Sequence, residues 1–443
     1  MRKIMIGLLV LTLLLSGCQG TGQASGKTEI RQEGLALAKA VYPEQVPFPS
    51  YSDMSYEAYE AKYKEWADSR KARREQIQQE ASMEAFYRQA LGTLLLPGDD
   101  GENKVVSPLN IYLALSLLAE STQGESQQQI LDLLGRANAD EMRQQAKLLW
   151  NANYADDGSV TSILANSVWL DQDLPVKNQW LEGMVSDYMA SVYQGDLDSE
   201  EMQQALKDWL NEQTGGLLKD TIQNIELSPE SLLALCSTIY YKARWSEEFN
   251  KNLTTDEIFH GAAGDVTCRM MHQSTTETYY FGSRFSSISR PLVHSGHMTL
   301  ILPDEGTTPE ELLADEEALT YMITGEAENR FLIVNQSVPQ FDVTSNMQLK
   351  DSLNQLGVTD VFTADADFSP VTEEALFLDK VQHAARVTID EEGVEAAAFT
   401  MEVLAGAAAP PEEEVDFVLD RPFIFLIRGE DGQILFAGIV NQI

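Results

Sequence analysis

Apolar residues recur along this chain with two different periods, and the change from one to the other divides it. From Met83 to about residue 225 the spacing is helical. Phe86, Tyr87, Ala90, Leu91 and Leu94 share one face of a predicted helix, and Leu109 to Leu118 forms a second, more apolar one. Ser107-Pro108 stands just ahead of it, a serine to cap free N–H groups and a proline in the first turn, where its missing N–H costs nothing. One strand-like run, Ser162 to Leu170, interrupts this half. Beyond it, β-branched and aromatic runs take over at Leu232 to Tyr241, Asp265 to Met271, Met298 to Leu302, Phe331 to Val334, Val381 to Ile389 and Phe423 to Ile427. A helical pattern returns at Asn346 to Leu356, and no internal repeat is visible. Helices first and strands later predict an α+β architecture.

Ahead of this body the pattern is different. Met1-Arg2-Lys3 and the apolar run Ile4 to Leu15 read as an export signal, too short to remain as a membrane-spanning helix. Leu15-Ser16-Gly17-Cys18 resembles the bacterial lipoprotein box, which makes Cys18 the expected lipidated first residue, anchored by more than one acyl chain. Gln19 to about Pro49 is rich in small and polar residues, with one apolar patch from Leu35 to Val41, and reads as a tether. From residue 55, Tyr56, Tyr59, Tyr63 and Trp66 recur at helical spacing ahead of the cationic cluster Arg70, Lys71, Arg73 and Arg74. That pattern predicts a charged helix leaning its aromatic stripe on the body. The expected organisation is a signal at 1–17, an anchored extension at 18–80 and the main domain at 81–443.

Charge narrows the partners. Lys and Arg number 31 against 69 Asp and Glu, a net of -38, or -40 once Arg2 and Lys3 leave with the signal. Such a surface repels nucleic acid and anionic lipid. Besides Cys18, only Cys236 and Cys268 are present, each in an apolar run; they either pair or stay as buried thiols, and the setting favours thiols. Enzyme motifs are missing: the five histidines form no His-Glu-x-x-His pattern, His294 and His297 lack supporting ligands, and there is no Gly-x-Ser-x-Gly elbow. Neither metal nor cofactor is expected.

The distinctive chemistry lies between two strands. Glu391-Glu392-Gly393-Val394-Glu395-Ala396-Ala397-Ala398 follows the run Val381 to Ile389, and its alanines carry neither bulk nor side-chain polar atoms. Gly406-Ala407-Ala408-Ala409-Pro410-Pro411 then reads as an exposed, extended segment that a protease can grip.

These blocks resemble the serpin family. Leu378-Asp379-Lys380 through His383 and Thr388 to Gly393 is the most specific. Asp420-Arg421-Pro422-Phe423 to Arg428, Asn103 to Ser107-Pro108, Thr214-Gly215-Gly216-Leu217, Tyr240 to Trp245 and Val338-Pro339-Gln340-Phe341 agree in order. The resemblance implies a large mixed sheet, surrounding helices and a reactive-centre loop at about residues 391–420. It also implies a suicide inhibitor: a serine protease cuts the loop, forms an acyl-enzyme and is trapped as the cut segment inserts into the sheet. Ordering a dozen loop residues costs about 1 to 2 kcal/mol each, while each new hydrogen bond returns about 0.5 to 1.5. The drive must therefore be stored in the intact sheet.

Further implications of the resemblance fall on single residues. Fourteen residues beyond Gly393 the scissile-bond residue is Ala407, with cleavage after Ala405, Gly406 or Ala408 left open by the long stretch Glu412 to Leu419. Alanine there suits a protease with a small apolar pocket, elastase-like or subtilisin-like. Val394, Ala396, Ala398, Thr400, Glu402 and Leu404 share the inward parity of the inserted strand. Glu402 is a departure that favours the alternative, a non-inhibitory binding protein at the cell surface. Ser107, Asn110, Ser237 and His383 are expected as a sheet-opening cluster, with Asn110 and Ser237 exchanging the family's usual serine and asparagine. Trp245 is expected where the loop enters. The implied protein is a monomer, exported and facing the extracellular space or periplasm.

Overall fold

The computed structural model describes residues 35–51, 54–77, 82–96, 101–216, 225–227, 232–394 and 413–443. Cys18 and the signal, and Glu395, Ala396 to Ala398, Glu402, Ala407 and Ala408 of the loop, lie outside them.

Strands are numbered in chain order. The first sheet runs, in space, β1 (Ala36–Ala38), β5 (Ala190–Gly195), β4 (Thr161–Asp171), β6 (Leu233–Arg244), β14 (Gly393–Val394), β13 (Lys380–Ile389) and β12 (Phe341–Gln348), with β3 (Ala155–Asp156) on β4. The second runs β15 (Glu414–Val418), β11 (Glu328–Pro339), β8 (Gly264–Phe281), β9 (Phe285–Leu292), β10 (Gly296–Pro303), β16 (Phe423–Arg428), β17 (Ile434–Val440) and β2 (Lys104–Val106), with β7 (Thr255–Gly261) on β8. Ten helices complete the described fold: α1 (Tyr56–Ile77), α2 (Glu84–Leu95), α3 (Pro108–Glu120), α4 (Gly124–Leu134), α5 (Ala139–Asn153), α6 (Asn178–Tyr188), α7 (Glu200–Gln213), α8 (Pro309–Leu313), α9 (Glu316–Thr324) and α10 (Lys350–Gln355). The expected α+β class is therefore the observed one.

Helix α3 explains how the two sheets share a core. Every residue from Pro108 to Ala119 is buried, so no face of it meets solvent. Ser107 caps it by accepting from Asn110 N at 3.2 Å, and Pro108 occupies the first turn. Strand β2, immediately before it, ties the sheets together, pairing with β17 while Val105 N donates to Ser345 Oγ of β12 at 2.9 Å.

Two expectations about the chain differ from what is observed. The helix expected from Asn346 is confined to α10, because Asn346–Gln348 continues β12 and pairs with Gln382–Ala384 of β13. Pairing across a sheet outweighs local propensity there. The tether expected up to Pro49 is packed against the body from residue 35 onward. Ala36 and Ala38 are small and almost fully buried, which lets β1 approach β5 closely and cover the edge of the first sheet. Helix α1 does lean its aromatic stripe on the body: Trp66 is 3% exposed and Phe48 packs edge-on to it at 5.0 Å. Cys236 and Cys268 are unpaired buried thiols. Burial raises both thiol pKa values, that of Cys236 to about 12.

Candidate functional site: a parted sheet and its hinge

The seam between β6 and β13 is incomplete. The two strands pair in parallel from Ala234–Lys380 to Thr238–Ala384, and their mutual ladder goes no further. At the other end of the seam β14 takes over: Gly393 pairs with Arg244 and Val394 with Ala243, while Val394 also pairs with Ile389. Two residues of the hinge segment thus already lie between the strands. Among the described residues, no β6–β13 pairing joins Ile239–Lys242 to Ala385–Thr388.

Local chemistry makes the reversal from β13 into β14. Asp390 Oδ1 accepts from Glu392 N at 2.8 Å and Gly393 N at 3.1 Å, and Asp390 N donates to Gly393 O at 3.1 Å. An aspartate that bonds its own downstream backbone sets such a turn. Only glycine fits its last position. The φ of Gly393 is 153°, and a Cβ there would lie 2.4 Å from Ala243 O.

Side chains pin the hinge from outside. Glu391, 7% exposed, accepts from Thr254 Oγ1 and Gln340 Nε2, both at 2.7 Å. Burial opposes its charge, but those hydrogen bonds prevail and hold its carboxyl below the usual range. Glu392 is ion-paired with Lys251. Trp245 lies beside the turn from β13 into β14, its N and Nε1 donating to Glu392 O and Asp390 O, each at 3.0 Å. Phe249 N reaches Glu391 O at 2.9 Å. Beneath them Arg290, 4% exposed, lies 4.1 Å from the Phe249 ring centroid and 5.1 Å from that of Trp245. Sequence reasoning singled out Glu391, Glu392, Gly393, Val394 and Trp245 but missed Asp390, Thr254, Gln340 and Arg290. The Asp-x-x-Gly spacing was a visible signal for the first, and Gln340 stood in one of the family-like blocks without a role; Thr254 and Arg290 come from distant parts of the chain and carried none.

Under the paired part of the seam, the structure brings Ser107, Asn110, Ser237 and His383 together. Ser107 N donates to His383 Nε2 at 3.0 Å, which makes Nε2 an acceptor and puts the imidazole proton on Nδ1. Asn110 Nδ2 donates to Ser237 Oγ at 2.8 Å and to Thr238 O at 2.6 Å. The amide bridges α3 to β6, while the ring bridges its N-cap to β13. Both sides of the seam are therefore fastened to one helix end. Asn110 Oδ1 and His383 Nδ1 are buried without a hydrogen-bond partner among the described residues.

Burial alone pushes the His383 pKa down to about 4. The unfolded chain, with an ordinary histidine near 6.5, takes up the proton first as pH falls. Stability from this group is therefore complete above 6.5 and is lost progressively towards 4, a span worth on the order of 3 kcal/mol. Thermal melting of the intact protein is expected to fall across that window. His294 and His297 are also depressed by burial and add to the slope. A His383→Gln variant should show a shallower slope; an unchanged slope would contradict this assignment.

Residues 89–443 match the family model described as Serpin (serine protease inhibitor). The chain belongs to the serpin family. Among curated relatives, a Serpin-Z2A of Triticum aestivum is 28% identical over 370 residues, 78% of this chain and 92% of the relative. An Alpha-1-antiproteinase 2 of Equus caballus is 30% identical over 355 residues, 76% of this chain and 81% of the relative. Among solved structures, the thermophilic serpin Tengpin in its native state aligns with a TM-score of 0.72 at 23% identity, covering 82% of this chain and 93% of that one. Arabidopsis AtSerpin1 in its native stressed conformation gives the same TM-score at 23% identity, covering 82% and 97%. Human thyroxine-binding globulin complexed with thyroxine aligns at 0.70 and 24%, covering 81% and 98%. These structural likenesses, each under 25% identity, concern the serpin fold alone. As a serpin, the chain belongs to a family of protease inhibitors rather than enzymes.

Proposed function

We propose that this serpin inhibits a serine protease by offering the loop after Val394 as substrate and inserting it, once cut, between β6 and β13. The observation that carries this reading is the seam itself. It is zipped only at one end and already parted by Gly393 and Val394 at the other. An inserting strand would need no nucleation, because its first two residues are in register with Arg244 and Ala243 before any cut. The next residues, Glu395 to Ala398, are mostly alanine, which can pass under neighbouring side chains without displacing them.

The bond offered is at Ala407, with Ala408 beyond it, so the target is a protease with a small apolar pocket. Cys18 would carry lipid and hold a single copy at the outer face of a cell membrane, facing the extracellular space or periplasm. Glu402 supports a second reading. On the inward parity it would bring a charge into the sheet, which suits a surface binding protein whose loop never inserts.

Incubation with an elastase-like serine protease separates the two. Inhibition is expected to give a covalent adduct stable in SDS, with release of the fragment that begins after the cut bond. Cleavage at Ala407 without adduct would instead select the binding protein.

A further inference from the structure

Register decides where each residue of an inserting loop would come to rest. Val394 pairs with Ala243 of β6 and with Ile389 of β13, both antiparallel. Carried on residue by residue, the same ladder sets Thr400 between Ser237 and His383, and Glu402 between Leu235 and Val381. The existing β6–β13 ladder matches these residues in the same way, Ser237 with His383 and Leu235 with Val381. Residues directly opposite in a sheet share a face. Both side chains would therefore point into the body, Thr400 among polar groups and Glu402 between two apolar side chains that are each 1% exposed. We propose that the cut loop inserts with Glu402 protonated, its carboxyl met by the Nδ1–H of His383, so that insertion takes up one proton from solvent. The proposal rests on the inhibitor reading and adds a dependence on acidity: the target is trapped more completely in mildly acid surroundings than in alkaline ones.

His383 is the polar neighbour that Glu402 would find. It stands two positions along β13 from Val381 on the same face, a diagonal partner within reach of a glutamate. Its Nε2 already accepts from Ser107 N at 3.0 Å, and its Nδ1 is buried without a hydrogen-bond partner among the described residues. The ring can offer one N–H, but it cannot take a further proton without breaking its bond to Ser107. The added proton therefore belongs on the carboxyl.

No cation stands ready to hold Glu402 ionised instead. Helix α3, which packs on β6, carries no charged residue from Pro108 to Ala119. The positions of β4, β6, β12 and β13 that share this face include no lysine or arginine, and their titratable groups are His383 and, at the far end, Tyr241. Lys104 of β2, which packs on β13, sends its Nζ to Leu96 O at 3.3 Å. Lys380 has the opposite parity and donates to Glu226 O at 2.6 Å. Asp379, just ahead of β13 and on the parity of Val381, places a second carboxyl on the side away from His383, which opposes ionisation of Glu402 further. A glutamate buried among apolar side chains can have its pKa carried up to about 8 or 9, and one neutral N–H donor offsets only part of that. In the uncut loop an ordinary glutamate titrates near about 4.3. His383 of the intact protein takes its proton only near pH 4, so it does not mask the effect. Between about pH 7 and 5 the inserted form then holds one proton more than the intact one, and each unit of acidification favours it by up to about tenfold.

The test compares the parent with Glu402→Gln, which keeps the shape of the side chain and removes its titration. The position is in the loop, so the intact fold is not at stake. Both proteins are cut once beyond Glu402 by a metalloprotease, which forms no acyl-enzyme, and are melted cut and intact at pH 5.5 and 7.5 with both fragments retained. For the parent, the gap between cut and intact melting temperatures should be wider at pH 5.5 by about 3 °C, as a hundredfold shift would give in a domain of this size. For Glu402→Gln it should be the same at both. Proton uptake during cutting is read at pH 6.5 in dilute buffer, where hydrolysis of the peptide bond itself releases almost no net proton. The parent should take up close to one proton per cut more than the variant. A parent gap that does not change with pH, or equal proton uptake by the two proteins, overturns the proposal and leaves the inhibitor reading, since Glu402 then keeps its contact with water in the inserted form. No gap in either protein at either pH overturns the inhibitor reading and the proposal together.

Discussion

A Val394→Arg variant is expected to be cut by the target protease as readily as the parent and to let it go. Val394 is 1% exposed and paired on both sides, so the insertion path leads directly over this position. Burying a guanidinium there uncompensated costs several kcal/mol. Hydrolysis of the acyl-enzyme would then outrun insertion. The yield of SDS-stable adduct per loop cut should drop at least about tenfold, since 1.4 kcal/mol is enough for that factor. A Val394→Thr variant, uncharged and similarly branched, should stay within about 1 kcal/mol of the parent and keep most of its adduct. A parent-like adduct yield from Val394→Arg would mean that residue 394 does not lead the insertion.

The second large effect is expected at Asn110. Its amide serves Ser237 Oγ and Thr238 O at once, both buried beneath the seam. An Asn110→Ala variant leaves those acceptors without the donor and opens a small cavity beside α3, for a loss on the order of 2 to 4 kcal/mol. Because the amide fastens β6 to the helix end, the variant should also convert spontaneously to the loop-inserted form faster than the parent. The exchange of residue types between positions 110 and 237 gives a sharper version. An Asn110→Ser variant should lose most of the same stability, and adding Ser237→Asn should restore more than half of it, since the amide would then reach back from the strand. Strict additivity of the two losses would show that the positions do not cooperate.

Much of this was legible in the sequence, for identifiable reasons. The α+β class followed from period alone, and the buried α3 announced itself through Ser107-Pro108 and ten nearly unbroken apolar positions. Strand centres were visible where β-branched residues cluster, but not their ends: the run seen at Asp265 to Met271 extends to Phe281 in β8, through threonines and tyrosines that gain their place by pairing with β11 and β9. Gly393 and its flanking glutamates stood out by composition. What no local pattern disclosed was the state of the seam, because a strand parted at one end and paired at the other reads like any strand. The buried role of Glu391 was equally hidden, since its partners Thr254 and Gln340 lie far away in the chain. The segment from residue 35 was mistaken for a tether because Leu35 to Val41 is too short to suggest a strand without the waiting edge of β5.

The account depends on free energy stored in an incompletely closed sheet, and one comparison measures it. The protein is melted intact and again after a single cut in the loop at Ala407, with both fragments retained. Completion of the seam is expected to raise the melting temperature by at least about 10 °C, as a gain of about 8 kcal/mol or more would in a domain of this size. Equal melting temperatures for the two forms would contradict the account at its centre.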